Sequence, residues 1–395
     1  MPGDNSPPYQ EPAGPAPSYV RDTGRVESIP KPAPQFQIER KPVPTMRITK
    51  DQSWRRPRYW RTRTWVLLGL AIAIIIVIAI VVPVKVVQAN RYPSYSQLNY
   101  TLVDEYSGTS FFDNFDYFEG YDPSNGFVHY VPKEHATLLN LTYASESSAL
   151  LKVDTTVGPG SNPDASTGRF SVRVESKRQY DQGLFIFDVK HTPYGCGTWP
   201  ALWLTDQHHW PDNGEIDVME AVNQAIGGNR MTLHTTNGCS VGSVKRKMTG
   251  HSVAGNCYNG TNDNTGCSVS GPDNTYGESF NDAQGGLMAM EWRNQGIRMW
   301  QFGRNAIPAD ITAKTPDPSS WGEAAADFPD TSCNIGSHFR NQSIIANIDL
   351  CGQYAGAVYP KSGCPGDCKD YVANNPSAFA DAFWEFGAFQ VYQVK

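Results

Sequence analysis

From Tyr100 onward the chain reads as short apolar runs separated by Gly, Pro, Asn and Asp. Phe170–Val174 alternates apolar and polar positions, the period-two pattern of a half-buried strand. Gly183–Val189 is denser, as a strand in a sheet interior would be. Leu287–Trp292 and Gly296–Trp300 predict neighbouring strands joined by the turn Arg293–Gly296. Ser343–Leu350 and Phe389–Val394 continue the series, and helical periodicity is confined to Ser377–Phe383. Asn237–Asp282, rich in Gly and Asn, predicts a long loop. Many short strands with turns between them predict an all-β sandwich or barrel whose curved face can hold a polymer.

Two stretches depart from that pattern. Trp65–Val84 is an uncharged run of 20 residues. At about 1.5 Å per residue it spans about 30 Å, the thickness of a bilayer's hydrocarbon core. The other is Asn213–Glu220, where Asn-Gly marks a turn into a strand carrying three carboxylates: Glu215, Asp217 and Glu220. Glu215 and Asp217 share a face of a regular strand, and Glu220 falls on the other. One extra residue near Val218–Met219, a β-bulge, would bring Glu220 back. Three acids on one strand also fit a solvated face or a calcium site, and residue types alone leave these open.

Charge divides the chain. The 395 residues carry a net charge of −6, but residues 1–64 hold 12 Lys/Arg against 6 Asp/Glu. That leaves +6 at the N-terminus and −12 on the rest, which argues against nucleic acid as a partner of the main domain. Residues 1–50 are proline-rich and predict a disordered or locally extended tail. Arg55, Arg56, Arg58, Arg61 and Arg63 precede the apolar run, with Lys85 alone beyond it. The positive-inside rule then predicts a single-pass type II signal anchor with a cytosolic tail and a luminal or extracellular main domain. A cleaved signal peptide would start near residue 1. The sequons at Asn99, Asn140, Asn259 and Asn341 all fall on the luminal side. All eight cysteines lie beyond residue 195, suggesting disulfides in an oxidising compartment. Cys364 and Cys368 are close enough in a Pro-Gly loop to pair with each other. The resulting division is 1–64 tail and basic flank, 65–84 anchor, 85–99 stem, and 100–395 main domain.

Glu215–Glu220 resembles the bulged active-site signature of glycoside hydrolase family 16, and in particular its fungal endo-1,3(4)-beta-glucanases of the laminarinase type. The likeness runs from about Tyr100 to the C-terminus. It includes Phe111-Phe112, Asp122-Pro123, Gly126–Val128, Gly195–Pro200, Thr232–Thr235, Tyr276–Asn281 and Ala289–Trp292. The resemblance implies a β-jelly-roll sandwich with an open cleft. It implies Glu215 as nucleophile, Glu220 as general acid/base and Asp217 as a tuning group between them. It places Trp199, Trp203 and Trp210 along the cleft and His234 near the acids. Asn223, Glu278, Asn281 and Trp292 are further candidates for sugar contacts.

The chemistry is consistent with that assignment. Three close carboxylates do not all ionise cheaply, so one stays protonated and can donate to the glycosidic oxygen. Indole rings stack on the apolar faces of glucose and donate Nε1–H. No cofactor is needed and no metal site is expected: His208 and His209 are adjacent, so strand geometry would point them apart. The expected activity is retaining hydrolysis of β-1,3 or mixed β-1,3/1,4 glucan during fungal cell-wall remodelling, with β-glucan and a lipid bilayer as partners. A transglycosylase on the same fold and a non-catalytic glucan-binding membrane protein are the alternatives. A scaffold role of the tail could stand beside any of these.

Overall fold

The computed structural model describes residues 61–158, 160–161 and 165–395. The proline-rich tail and most of its arginine flank lie outside the described residues. The chain divides into two units, residues 1–71 and 72–395. Of the first, residues 61–71 are described, and from Thr62 they are helical.

The helix Thr62–Asn90 contains the predicted apolar run. Within its stretch Thr62–Val87 an 18-residue segment has a mean hydropathy of 3.3, and no residue of the stretch is buried, so its length and composition suffice to cross a membrane. Residues 91–98, expected as a stem, lie against the folded body. The Arg298 guanidinium sits 3.9 Å from the Tyr95 ring centroid, and the Tyr95 hydroxyl donates to the Gln295 carbonyl at 3.2 Å. Lys247 stands 4.6 Å over the Tyr92 ring, Gln97 donates to Asp317 at 2.8 Å, and Arg91 is 3.7 Å from Asp330.

Two antiparallel eight-stranded sheets form the body. One runs Ala326–Pro329, Gly296–Gly303, Gly286–Arg293, Gly183–His191, Phe383–Val394, Ala149–Lys152 and Thr142–Ala144, with Tyr100–Tyr106 also paired to Phe383–Val394. The other runs His251–Ala254, Cys267–Ser270, Arg230–His234, Glu215–Glu220, Thr198–Thr205, Gln342–Leu350, Arg173–Tyr180 and Phe115–Tyr117. Leu202, Leu204, Ile216, Val218, Ile344, Ala346 and Ile348 of this second sheet share one buried core with Phe185, Phe187, Met288, Met290 and Phe389 of the first. The alternate residues of the second sheet face outward and build the cleft. This is the expected sandwich.

Several expectations are corrected. Phe170–Val174 is divided between two strands: Arg169–Ser171 belongs to a small third sheet with Val128–Tyr130 and Gly120–Tyr121, and Arg173–Tyr180 to the cleft sheet. Ser377–Phe383 holds only a 3₁₀ turn at Pro376–Phe379 before the last strand begins. Asn237–Asp282 is not one loop: His251–Ala254 and Cys267–Ser270 extend the cleft sheet, and Gly277–Asp282 is a helix.

The cysteine expectation divides the same way. All eight are paired, as Cys196–Cys364, Cys239–Cys333, Cys257–Cys267 and Cys351–Cys368. Cys364 and Cys368 are therefore not partners. Cys364 lies in a turn and meets the Gly195–Gly197 segment, whereas Cys368 opens the helix Cys368–Asn374 and reaches the end of Gln342–Leu350.

Candidate active site

The strand Glu215–Glu220 carries the predicted bulge. Across it, Leu202 pairs with Met219 and Trp203 with Asp217, so Val218 has no opposite number. Ile216, Val218 and Met219 are fully buried in the core, while Glu215, Asp217 and Glu220 all line the cleft. Asn229 holds the irregularity in place. Its side-chain oxygen accepts the Glu220 backbone N–H at 3.1 Å and its amide donates to the Val218 carbonyl at 3.0 Å. These backbone groups lose ladder partners at a bulge and would otherwise be costly to bury. Asn229 is fully buried, and its own backbone N–H donates to the Thr275 hydroxyl at 2.9 Å.

Each outer acid receives an indole N–H. Trp199 donates to Glu220 Oε1 at 2.7 Å, and Trp210 donates to Glu215 Oε2 at 2.6 Å. Trp199 meets Tyr354 edge to face at 5.7 Å. Trp210 is 41% exposed on a loop that Asp206 ties down. One Asp206 oxygen accepts from Asn213 at 2.7 Å, His209 at 2.9 Å and Asn341 at 3.0 Å, and the other accepts the His208 backbone N–H at 3.1 Å. Burial alone would raise this carboxyl. The donors outweigh it and hold its pKa at about 2. The Asn213-Gly214 turn then leads into the acid strand. Gly214 has φ of +74°, and a Cβ there would meet the His338 carbonyl at 2.4 Å, so glycine is required.

The middle acid pairs with His234. Its Nε2 lies 3.3 Å from Asp217 Oδ2 and 3.9 Å from Glu215 Oε1, and its Nδ1–H donates to Asn264 at 2.9 Å. Burial would lower the His234 pKa, but Asp217 and the charges of Glu215 and Glu220 prevail and raise it to about 10. Glu215, Asp217 and His234 bring oxygen and nitrogen atoms within 4.8 Å of one another, a spacing that could also suit a metal. With the imidazole protonated, the three groups form an ion-pair cluster. Burial and then the Glu215 charge push Asp217 well above the usual carboxylate range, against the pull of His234. Glu220 is raised chiefly by burial, against the Trp199 N–H and the His234 charge. The cluster thus retains a proton beside an available carboxylate.

These groups lie in an open cleft of about 630 Å³, lined also by Trp203, Asn347, Asp349, Asp122, Ser124 and Asn259. Trp203 spends its N–H on Asn347 at 2.8 Å, and the Arg173 guanidinium stands 5.0 Å over its ring. Asp349 is raised well above the usual range by burial and by Asp122 beside it.

Four candidates for sugar contact lie elsewhere. Asn223 is buried, accepting the Gly197 N–H at 2.9 Å and donating to Ala355 and Ser362 at 3.1 Å each. Asn281 bridges Thr192 and His191. Trp292 is a core residue of the opposite sheet, 6.4 Å from Phe185. Glu278 is exposed on the short helix Gly277–Asp282, outside the cleft lining. Asn223 and Asn281 instead satisfy backbone groups of neighbouring segments. Conversely, Asn229, Asn264 and Asn347 were not anticipated, being single amides without periodic context.

Residues 115–392 match the family described as XgeA-like, catalytic GH16 domain. A probable glycosidase of Schizosaccharomyces pombe is 44% identical over 308 residues, covering 77% of this chain and 72% of the relative. The endo-1,3(4)-beta-glucanase xgeA of Emericella nidulans is 39% identical over 311 residues, or 75% of this chain. The match spans about half the length of that relative, 48%. Laminarinase 16A from Phanerochaete chrysosporium, solved with 6-O-glucosyl-laminaritriose in its donor and acceptor sites, is 44% identical with a TM-score of 0.71. That likeness covers 75% of this chain and 100% of the solved one.

Proposed function

The chain belongs to glycoside hydrolase family 16, in its XgeA-like group, and from that membership we propose a retaining endo-β-glucanase that cuts β-1,3 or mixed β-1,3/1,4 glucan in fungal cell-wall remodelling. The observation that carries this reading is the bulged strand, which turns three carboxylates into one cleft with a retained proton among them. Glu215 is the nucleophile, oriented by the Trp210 N–H. Glu220 protonates the leaving oxygen and then, as the base, activates water against the glycosyl-enzyme. Asp217 and the His234 cation between them balance charge as the negative charge shifts from Glu215, which becomes an ester, to Glu220, which has given its proton to the departing oxygen. The rings of Trp199 and Trp210 offer flat apolar faces for successive sugars, while Trp203 lines the cleft with the Arg173 guanidinium over its ring.

Trp65–Val84, within the apolar stretch Thr62–Val87, is the membrane anchor in this reading, with residues 1–64 cytosolic and the body luminal or extracellular. Its length, its hydropathy and the arginines before it support that orientation. Four disulfides agree with an oxidising compartment.

The test is activity of residues 91–395 on laminarin, lichenan and cellulose, followed as new reducing ends. Release from laminarin or lichenan with little from cellulose is expected. No release from any of them sinks the glucanase reading. Products longer than added laminari-oligosaccharides shift it to chain transfer.

A further inference from the structure

Of the four sequons, Asn259-Gly260-Thr261 alone has its asparagine in the wall of the cleft. Asn259 is half-buried and shares that wall with Trp210, Glu215 and Asn264. Its backbone N–H donates to the Thr235 carbonyl at 2.9 Å, and Thr235 also bridges to Tyr258. Thr235 follows His234, the histidine 3.3 Å from Asp217. The Cys257–Cys267 disulfide closes the loop at its base, so Asn259 is held near the acids. Among the described residues its side-chain amide makes no hydrogen bond. Asn341 differs: its amide nitrogen is donated to Asp206 at 3.0 Å. Asn99 and Asn140 are exposed and outside the cleft lining.

We propose that Asn259 is an N-glycan acceptor and that its occupancy throttles cleavage of polymer while sparing short substrates. The proposal rests on the luminal orientation argued above. In the transfer, the Asn259 amide nitrogen displaces the pyrophosphate of a lipid-linked oligosaccharide at its anomeric carbon. A C–N bond forms, a C–O bond breaks, the amide loses one proton and the lipid pyrophosphate leaves. The first N-acetylglucosamine is about the size of one glucosyl unit, so it stands where a strand of glucan would pass. A substrate spanning only the sugars around the acids still reaches Glu215 and Glu220. Occupancy set during synthesis would thus yield two populations from one chain, one acting on long glucan and one confined to short or terminal segments.

The experiment uses the full chain from a eukaryotic secretory host, with Thr261→Ala to remove the sequon and Thr261→Ser to keep it. Thr261 does not line the cleft, but its hydroxyl donates to the Tyr258 carbonyl at 2.9 Å, so each form is also assayed after enzymatic deglycosylation, which leaves that bond unchanged and should bring Thr261→Ser level with Thr261→Ala. Glycopeptide mapping should find a glycan on Asn259 in wild type and Thr261→Ser and none in Thr261→Ala. kcat/KM on laminarin should rise about fivefold or more in Thr261→Ala, while an aryl laminaribioside changes by less than about twofold. A bare Asn259 in material glycosylated at Asn99 or Asn140 overturns the proposal, as does equal laminarin turnover by the two variants. A chain bare at all four sequons refutes the luminal reading and the proposal with it. If no variant cleaves any glucan, the glucanase reading and the throttle both fall, and mapping still decides whether Asn259 is an acceptor.

Discussion

Asn229 accepts the backbone N–H of Glu220 at 3.1 Å while donating to the carbonyl of Val218, so one buried amide spans the bulge that turns Glu220 into the cleft. Asn229→Ala leaves both backbone groups unsatisfied and frees the register. The expected result is a folded enzyme with kcat on laminarin reduced about 10–100-fold and KM changed much less. Steady-state kinetics with circular dichroism checks this. Unaltered kcat in a folded variant would mean that the bulge holds without the amide.

The acids should separate by role. Glu215→Gln removes the nucleophile at constant size and should lower polymer hydrolysis by about 10⁴-fold or more. Glu220→Gln should cripple polymer hydrolysis yet partly spare substrates with activated leaving groups. Azide should rescue Glu220→Ala as a β-glycosyl azide. Asp217→Asn should cost about 10–100-fold. Substantial polymer cleavage by folded Glu215→Gln refutes the assignment.

The His234 cation lowers the Glu220 pKa. His234→Gln should therefore move the basic limb of the kcat profile to higher pH, since Glu220 then holds its proton longer. For stability, the histidine's pKa is raised from its ordinary 6.5 to about 10. Its contribution is fully present below pH 6.5 and is lost as pH rises through about 10. Denaturation midpoints of wild type and variant should converge over that interval. A basic limb that stays put or moves downward counts against the electrostatic account.

Asp206 gives the opposite sign. Its pKa is depressed to about 2, so its contribution is present above pH 4 and fades as pH falls toward 2. The shift corresponds to about 2–3 kcal/mol. Asp206→Asn should be destabilised at pH 7 and approach wild type near pH 2. It should also raise KM on laminarin, because the Trp210 loop loses its knot.

The anchor is checked by fractionation. The full chain should stay in the pellet after carbonate washing, and residues after Val87 should resist protease in intact microsomes. Release by carbonate, or digestion of the body from outside the vesicles, contradicts the orientation.

The sequence made the site legible where spacing had only one physical solution. Ile216, Val218 and Met219 all need burial, and three acids between them need a bulge if they are to share a face. Alternation made an all-β sandwich or barrel legible, and the family resemblance chose the sandwich. Long-range pairing was not: Cys364 has Cys368 four residues away, yet it bonds to Cys196, 168 positions earlier. Nor do local residue types show whether an amide serves backbone or ligand. Asn223 and Asn229 lie six residues apart in similar turns, and one secures the Gly197 segment while the other shapes the acid strand.

The docking of Arg91, Tyr92, Tyr95 and Gln97 against the body has a mechanical consequence. A free stem of fifteen residues could reach about 50 Å, at about 3.5 Å per residue. The contacts leave residues 88–90, the end of the helix, between Val87 and Arg91, a span of about 5 Å at about 1.5 Å per residue. On the anchored reading, the depth of wall the enzyme can trim is then set by the dimensions of its own body. Making more of the protein would cover more membrane area without deepening the layer it works on.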